Sequence, residues 1–390
     1  MRDIGLHNFP TMERVIYGRP GAEVVAEEAE RLGARRVLLV VSRTLNTTTD
    51  EIDRIRTALG ARYAGTFDGV SQHTKRSEVV RAAALGLELQ ADLVVAVGGG
   101  SVVDAGKMTM MCMEHGITEP DGLNGFEILI VDGRPPQPSP FRTPKARLVV
   151  VPSTLSGGEY NAGCLVTDDR NDHKHTFFHP MMMPRAIVLD PDLARHCPMQ
   201  LWLGSGTRAM DHGIEAISST RGNPLVDAVV ARGLRLMHDG LLRTKDHFDD
   251  RSLRLQCQFG SWLSAYGLQS RVPMGASHAI GHVLGGTCHV PHFLCTPVMM
   301  PSVMRWNAPV AKDAQAEIAE ALRAPGAPGG DAFEAFVTKL GLPTRLSAVG
   351  VGRDQFQKVG ELTMTEIFAR TNPRPIKGPP DVVEILELAA

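Results

Sequence analysis

The run Ala91-Asp-Leu-Val-Val-Ala-Val-Gly-Gly-Gly-Ser-Val-Val-Asp-Ala-Gly-Lys107 constrains this chain more than any other stretch. Leu93 to Val97 is uninterruptedly apolar, rich in valine and too short for a helix, which predicts a strand buried on both faces, as in a parallel sheet. Gly98, Gly99 and Gly100 follow, and Ser101 then opens a helical pattern as its expected N-cap. Glycines let backbone approach a ligand closely, and a helix N-terminus offers unpaired N–H groups and a positive dipole end, which suits a phosphate. Asp104 and Lys107 sit three and six residues into that helix, on one face near its mouth. The turn is neither a GxGxxG fingerprint nor a GxxxxGK[ST] loop, and such glycines also serve tight turns that hold no ligand.

The rest of the first half repeats the same alternation. Strands are expected at Arg14–Tyr17, Val37–Val41, Tyr63–Phe67, Arg147–Pro152 and Ala186–Leu189. Helical patterns run from Pro20 to Leu32, Thr48 to Leu59, Ser77 to Leu89 and from the triple glycine through Cys112. Strands alternating with helices imply a parallel sheet covered on both faces. The stretch from Gly116 to Lys145, with Arg134-Pro-Pro-Gln-Pro-Ser-Pro140, reads as a surface insertion, with a lid over a substrate as the other use. After Asp190-Pro191 helical periodicity takes over. The expected fold class is an α/β Rossmann-like N-terminal domain, residues 1–195, plus an all-α C-terminal domain, residues 196–390, with a ligand in the cleft between them.

Composition removes several function classes. A net charge of −2 with 22% charged residues gives no reason to expect nucleic acid or an anionic membrane as a partner. The N-terminus lacks the apolar core of a signal peptide, and no apolar run approaches a membrane span, so a cytoplasmic location is expected. Six cysteines without CxxC spacing read as reduced thiols.

Four histidines fall in a pattern that points to chemistry. His278 and His282 are one helical turn apart, His292 follows after Gly285 and Gly286 and is expected in a turn, and His212 belongs to another helix. Imidazoles from two helices and a turn can converge on one divalent cation. They can equally pack as polar groups in a helical core.

These segments together resemble the iron-containing alcohol dehydrogenase superfamily. Gly98-Gly-Gly-Ser-Val-Val-Asp-Ala-Gly-Lys107 resembles its pyrophosphate-binding motif, and Asp211-His-Gly-Ile-Glu-Ala216 its helix with the first two metal ligands. His278, His282 and His292 match its second motif in type and spacing, and Asn372-Pro-Arg-Pro375 is similar to its ending. Pro152 to Glu159, Met274 to Gly286 and His73-Thr74 look closest to the maleylacetate reductase branch. The resemblance implies the dehydroquinate synthase-like, iron-type alcohol dehydrogenase architecture and a homodimer. It further implies an NAD(P)-dependent oxidoreductase moving hydride between nicotinamide and a small alcohol or carbonyl substrate. The alternative within it is maleylacetate reductase itself, acting on an unsaturated oxo diacid. The Gly116–Lys145 insertion is longer than that branch leads one to expect.

The resemblance also assigns roles. Gly98, Gly99, Gly100 and Ser101 hold the pyrophosphate, with Asp104 near the nicotinamide end. Thr154 and Ser156 line the cofactor, and Lys174 reaches the ribose unless it is a loop charge beside Asp172. After the second strand comes Ser42-Arg43-Thr44, with no carboxylate to clasp a ribose 2′-OH and an arginine to accept a 2′-phosphate, so use of both NAD(H) and NADP(H) is expected. His282 is the expected proton relay.

One departure bears on the metal, Fe2+ or Zn2+, that the resemblance implies. His212, His278 and His292 are its ligands if one binds. Metal-binding members carry Asp where this chain has Arg208, and the maleylacetate reductases carry Asn. Two charges ~4 Å apart at an effective dielectric near ~20 interact by about 4 kcal/mol, so an inward arginine opposes a divalent ion. Asp211 is turned about 100° away from that helix face and does not obviously rescue the site. Arg208 can swing outward to an acidic partner, form a purely structural ion pair at the helix start, replace the cation beside a developing oxyanion, or grip a substrate carboxylate. A lyase resembling dehydroquinate synthase, and a dinucleotide-binding relic without turnover, are the competing readings.

Overall fold

The computed structural model describes residues 6–128, 138–171 and 173–390. Two compact units emerge, one of residues 10–154 and 158–197, the other of residues 6–9, 155–157 and 198–390.

In the first unit, valine-rich segments that bury every side chain form the middle of the sheet. The elements are β1 (Arg14–Tyr17), α1 (Gly21–Arg31), β2 (Val37–Val41), α2 (Arg43–Thr48), α3 (Glu51–Leu59), β3 (Tyr63–Phe67), α4 (Arg76–Glu88), β4 (Leu93–Gly98), α5 (Gly100–His115) and β5 (Arg147–Pro152). After them come β6 (Gly163–Thr167), β7 (Lys174–Phe178), β8 (Ala186–Leu189) and α6 (Pro191–Ala194). Six strands run parallel in the order β1-β8-β5-β4-β2-β3, so β4 lies between β2 and β5. Two apolar clusters cover the two faces of this sheet.

Several boundaries differ from expectation. The helix expected from Thr48 to Leu59 starts at Glu51 as α3, and a further short helix, α2, precedes it and ends at Thr48, with Thr49 extended between them. The antiparallel pair β6–β7 was not anticipated; its short segments alternate without a long apolar run. The Gly116–Lys145 insertion is not wholly superficial. Leu123 and Phe141 are buried, and Phe126 stacks on Phe141 at 4.6 Å, with His115 edge-on to both rings. Most of the run Arg134 to Pro140 falls in 129–137, outside the described residues.

The second unit is helical: α7 (Met199–Ser218), α8 (Pro224–Asp246), α9 (Arg251–Ser264), α10 (Tyr266–Gln269), α11 (Ala276–Thr287), α12 (His292–Asn307), α13 (Lys312–Ala321), α14 (Gly329–Leu340), α15 (Phe356–Thr363) and α16 (Pro379–Leu388). Helix α7 is buried on all sides from Trp202 to Ile217, so residues on every face of it meet a neighbour. No helix among the described residues is long and apolar enough to cross a membrane.

Candidate active site

The histidines come from three helices. His212 lies on α7, His278 and His282 lie on α11, and His292 is the first residue of α12 rather than part of a turn, because Pro291 starts a new helix there. Helix α11 also runs through Gly285 and Gly286 to Thr287. Ring centroids are 4.9 Å apart for His212 and His278, 6.4 Å for His278 and His282, and 6.1 Å for His282 and His292. The four imidazoles therefore form one cluster. After β5 the chain passes this cluster at Gly157, where φ is +76° and an added Cβ would stand 3.1 Å from His212 Nδ1.

Helix α11 is anchored from both sides of its start. Glu215 accepts the N–H groups of Gly275 (2.7 Å) and Ser277 (2.8 Å), and Asn372 Oδ1 accepts that of Ala276 (3.1 Å). Two side chains distant in sequence thus cap the helix, which explains the Glu of the α7 motif and the Asn of the C-terminal Asn-Pro-Arg-Pro. Glu215 also sits 2.6 Å from His278 Nδ1. That nitrogen consequently carries the proton, and Nε2 faces away; it is buried and has no hydrogen-bond partner, as does His212 Nδ1.

Asp211 does not turn away from the cluster. Its Oδ2 accepts from Arg208 Nη1 (3.0 Å), Ser277 Oγ (2.7 Å) and Thr296 Oγ1 (2.6 Å), and its Oδ1 lies 3.2 Å from His278 Nδ1. The helical-wheel expectation fails because α7 is enclosed. Arg208 does not swing outward either; it is 5% exposed and its hydrogen-bond partner is Asp211.

The charges shape one another. Burial pushes the Asp211 carboxyl up, but His278, Arg208 and Thr296 outweigh it and hold it well below the usual range. Burial, then the charges of His278 and Arg208, keep His212 neutral well below its ordinary value. His278 is raised: burial and Arg208 oppose its charge, and the carboxylates of Asp211 and Glu215 prevail. His282 is lowered by burial against the pull of Glu366, whose Oε2 is 3.0 Å from Nδ1. Phe368 flanks His278 and His282, with centroids 5.8 Å away in each case. Glu366 and Phe368 had no local sequence signature; only the fold brings them to the histidines.

These residues do not fit a divalent ion. Among the described residues, the group of metal-ligand type whose donor atoms all lie within 4.8 Å is Asp211, Glu215 and His278. Three of their four oxygens are committed to hydroxyls, backbone N–H groups and an imidazole N–H, which orients His278, while Asp211 Oδ1 lies 3.2 Å from His278 Nδ1 and makes no hydrogen bond among the described residues. His212, His278 and His292 lack a fourth, anionic ligand, and a buried guanidinium stands in its place.

In the α/β unit the strand–glycine–helix turn is present, but its cap is Gly99, not Ser101. Ser101 lies in the first turn, where its Oγ accepts the His73 N–H (3.2 Å). A Cβ on Gly98 would come within 2.8 Å of Val102, and one on Gly99 within 3.2 Å of Thr154. His73 and Thr74 are both left-handed, at φ 72° and 50°, and the conformation is held by Thr74 Oγ1 donating to Ser101 O and Thr167 Oγ1 donating to His73 O. Lys174 is not in a loop; it opens β7, with Nζ 2.9 Å from His73 Nδ1. Lys107 is not at the mouth. It is fully buried, and its ammonium donates to the carbonyls of Gly158 (2.7 Å), Asn161 (2.7 Å) and Gly163 (2.8 Å). Asp104 accepts from Leu165 N (3.3 Å), and burial pushes its carboxyl up to about 6 against the nearby Lys107. Ser42 follows β2 and precedes α2, donating its N–H to Val97 O (2.9 Å). Thr154 belongs to this unit and Ser156 to the helical one.

Comparison with known proteins decides the family. Residues 12–191 match the profile of iron-containing alcohol dehydrogenase, and residues 203–390 match the C-terminal profile of the Fe-containing alcohol dehydrogenase family. The chain belongs to the iron-containing alcohol dehydrogenase family. It is an enzyme, a nicotinamide-dependent oxidoreductase. It is 27% identical to Dehydrogenase FUM7 of Gibberella moniliformis, with 96% of each chain covered. It is 28% identical to a maleylacetate reductase of Burkholderia cepacia, covering 96% of this chain and 94% of the relative. The crystal structure of maleylacetate reductase from Agrobacterium tumefaciens superposes with a TM-score of 0.82 at 25% identity, over 99% of this chain and 98% of that one. These matches support the maleylacetate reductase-like branch within the family.

Proposed function

We propose that this iron-type alcohol dehydrogenase relative reduces the carbonyl of a small polar compound, or oxidises the matching alcohol, without a resident metal. The observation that carries this is a buried guanidinium among four imidazoles, where the family's metal chemistry calls for a cation. Reduced nicotinamide, when bound, would supply the hydride with its electron pair to the carbonyl carbon, which places the C=O pair on oxygen. Arg208 supplies the fixed positive charge beside that oxygen. His282 delivers the proton from Nε2, and Glu366 at Nδ1 supports the imidazolium that this requires. In the oxidative direction neutral His282 takes the alcohol proton.

Gly98, Gly99, Gly100 and Ser101 bind the pyrophosphate, and Asp104, Thr154 and Ser156 line the nicotinamide half. Lys174 and Ser42 serve the ribose end. Without a carboxylate after β2, and with exposed Arg43 there, NADP(H) is accepted beside NAD(H). A cytoplasmic homodimer is the working form. The test is absorbance of reduced nicotinamide over a panel of carbonyl substrates, with His282→Ala beside the wild type. Turnover that falls at least ~100-fold in the variant supports the assignment, and unchanged turnover removes it.

A second reading has support from the relatives: several curated maleylacetate reductases are 26–29% identical over 93–96% of this chain. In it hydride goes to a carbon of an unsaturated oxo diacid. Supplying maleylacetate and reduced nicotinamide separates the two.

A further inference from the structure

We infer that Thr74 and Thr167 are positioning residues for the cofactor: they clamp the His73–Thr74 turn onto the first turn of α5, and the clamp fixes the Ser101 hydroxyl as a donor to the pyrophosphate. This rests on the reading above, in which the pyrophosphate meets the turn from Gly98 to Ser101, and it adds the residues that hold one of the donors in place.

The turn before α4 is strained. His73 and Thr74 have φ of 72° and 50°. Glycine and, less often, asparagine or aspartate visit this region, and a β-branched threonine there is an outlier. Such a backbone persists only where its surroundings over-determine it. Here the bonds that hold it run to two other elements, α5 and β6. Thr74 Oγ1 donates to Ser101 O (2.9 Å) and His73 N to Ser101 Oγ (3.2 Å). Thr167 Oγ1 donates to His73 O (2.7 Å) and Thr167 N to Thr74 O (2.8 Å). Thr74 is 1% exposed, so water does not compete for its hydroxyl. None of these four bonds closes the first turn of α4, where Lys75 N donates to Glu78 Oε2 (3.1 Å) and Glu78 N to Lys75 O (3.1 Å). A glycine pair would start that helix with less strain, but it could not reach Ser101 through a hydroxyl.

The clamp leaves Ser101 with a defined direction. Its Oγ accepts from His73 N, and that is the one hydrogen bond of this hydroxyl among the described residues. The hydroxyl's own hydrogen is therefore left to donate elsewhere. Gly99, Gly100 and Ser101 are half-buried, so this end of α5 is open to a ligand. The N–H groups of its first turn have no partner within the helix and favour an anion. Without the clamp Oγ loses the bond to His73 N and its side chain redistributes among staggered positions, so that fewer molecules present the donor.

Calorimetric titration of the full-length enzyme with NAD+, and with ADP-ribose, which keeps the diphosphate and lacks the nicotinamide, tests the clamp. Thr74→Val, which removes the hydroxyl at nearly constant shape, is expected to raise both dissociation constants ~10-fold, and Thr74→Ser to restore them to within ~2-fold of wild type. Thr167→Val is expected to raise them ~3-fold or more. Ser101→Ala should raise them as far as Thr74→Val does, and adding Thr74→Val to it should change them by less than ~2-fold, because both act through one hydroxyl. Should the valine variant not fold, Thr74→Gly relaxes the left-handed backbone while removing the same hydroxyl, and it should bind ADP-ribose ~10-fold more weakly than wild type. Unchanged dissociation constants in the valine, glycine or Ser101→Ala proteins overturn the inference. A serine variant no better than valine, or a further ~10-fold loss when Thr74→Val is added to Ser101→Ala, overturns it also. Wild type binding neither ADP-ribose nor NAD+ overturns the cofactor reading itself.

Discussion

His282 Nδ1 lies 3.0 Å from Glu366 Oε2, so the imidazole is held in one tautomer with the proton on Nδ1. Glu366 stands just before the turn that leads to Asn372, and Asn372 caps the helix that carries His282. One C-terminal segment therefore both fixes the helix and aims its histidine.

Glu366→Ala removes that aim without opening the core, because the Glu366 side chain is 19% exposed. The expected result is a kcat roughly 10- to 100-fold lower with KM and the unfolding midpoint little changed. Glu366→Gln, which keeps an acceptor but not the charge, should fall between. Steady-state kinetics with a denaturation curve for each variant checks this, and an unchanged kcat in the alanine variant contradicts it.

Asn372→Ala unties Ala276 N and Asn307 together, since Asn372 makes hydrogen bonds with both. A loss of about 1–2 kcal/mol in urea unfolding is expected. A loss below about 0.5 kcal/mol would show that the cap is dispensable.

Lys107→Met strands three carbonyls, of Gly158, Asn161 and the buried Gly163, that now share one ammonium. Destabilisation of about 3 kcal/mol or more is expected, whether or not cofactor is present. Measured unfolding free energy within about 1 kcal/mol of wild type would contradict this role.

Asp104 gives a pH signature. The fold holds its carboxyl at about 6, above the ordinary value of ~3.9. The protonated form is favoured in the folded chain, so the stabilisation is complete below ~pH 4 and is lost as pH rises through ~6. Asp104→Asn cannot ionise and should gain stability relative to wild type between about pH 5 and about pH 8 in cofactor-free protein. Parallel stability–pH curves for the two proteins would contradict the shift.

The parallel sheet was legible because Val37–Val41, Leu93–Val97 and Arg147–Pro152 are buried runs whose composition fits no other use. The four histidines were legible because helical spacing and family resemblance agreed. What stayed hidden depends on contacts between distant segments. The wheel of α7 placed Asp211 away from His212, yet enclosure by α11 and α12 puts Ser277, His278 and Thr296 on it. Lys107 was expected near the mouth of its helix, and only the course of residues 158–163 shows where its three donors go. Ser101 looked like a cap, but the backbone turns into the helix two residues earlier, at Gly99.

The proposed role of Arg208, positive charge in the histidine cluster in place of a divalent ion, has a direct test. The direct measurement is turnover by enzyme stripped with a strong chelator, alongside Co2+ binding to wild type and to Arg208→Asp followed by visible absorption. Stripped wild type is expected to keep its full rate and to bind no Co2+ at the cluster, and the aspartate variant to gain a Co2+ site. Loss of turnover on stripping, restored by Fe2+ or Zn2+, would contradict it.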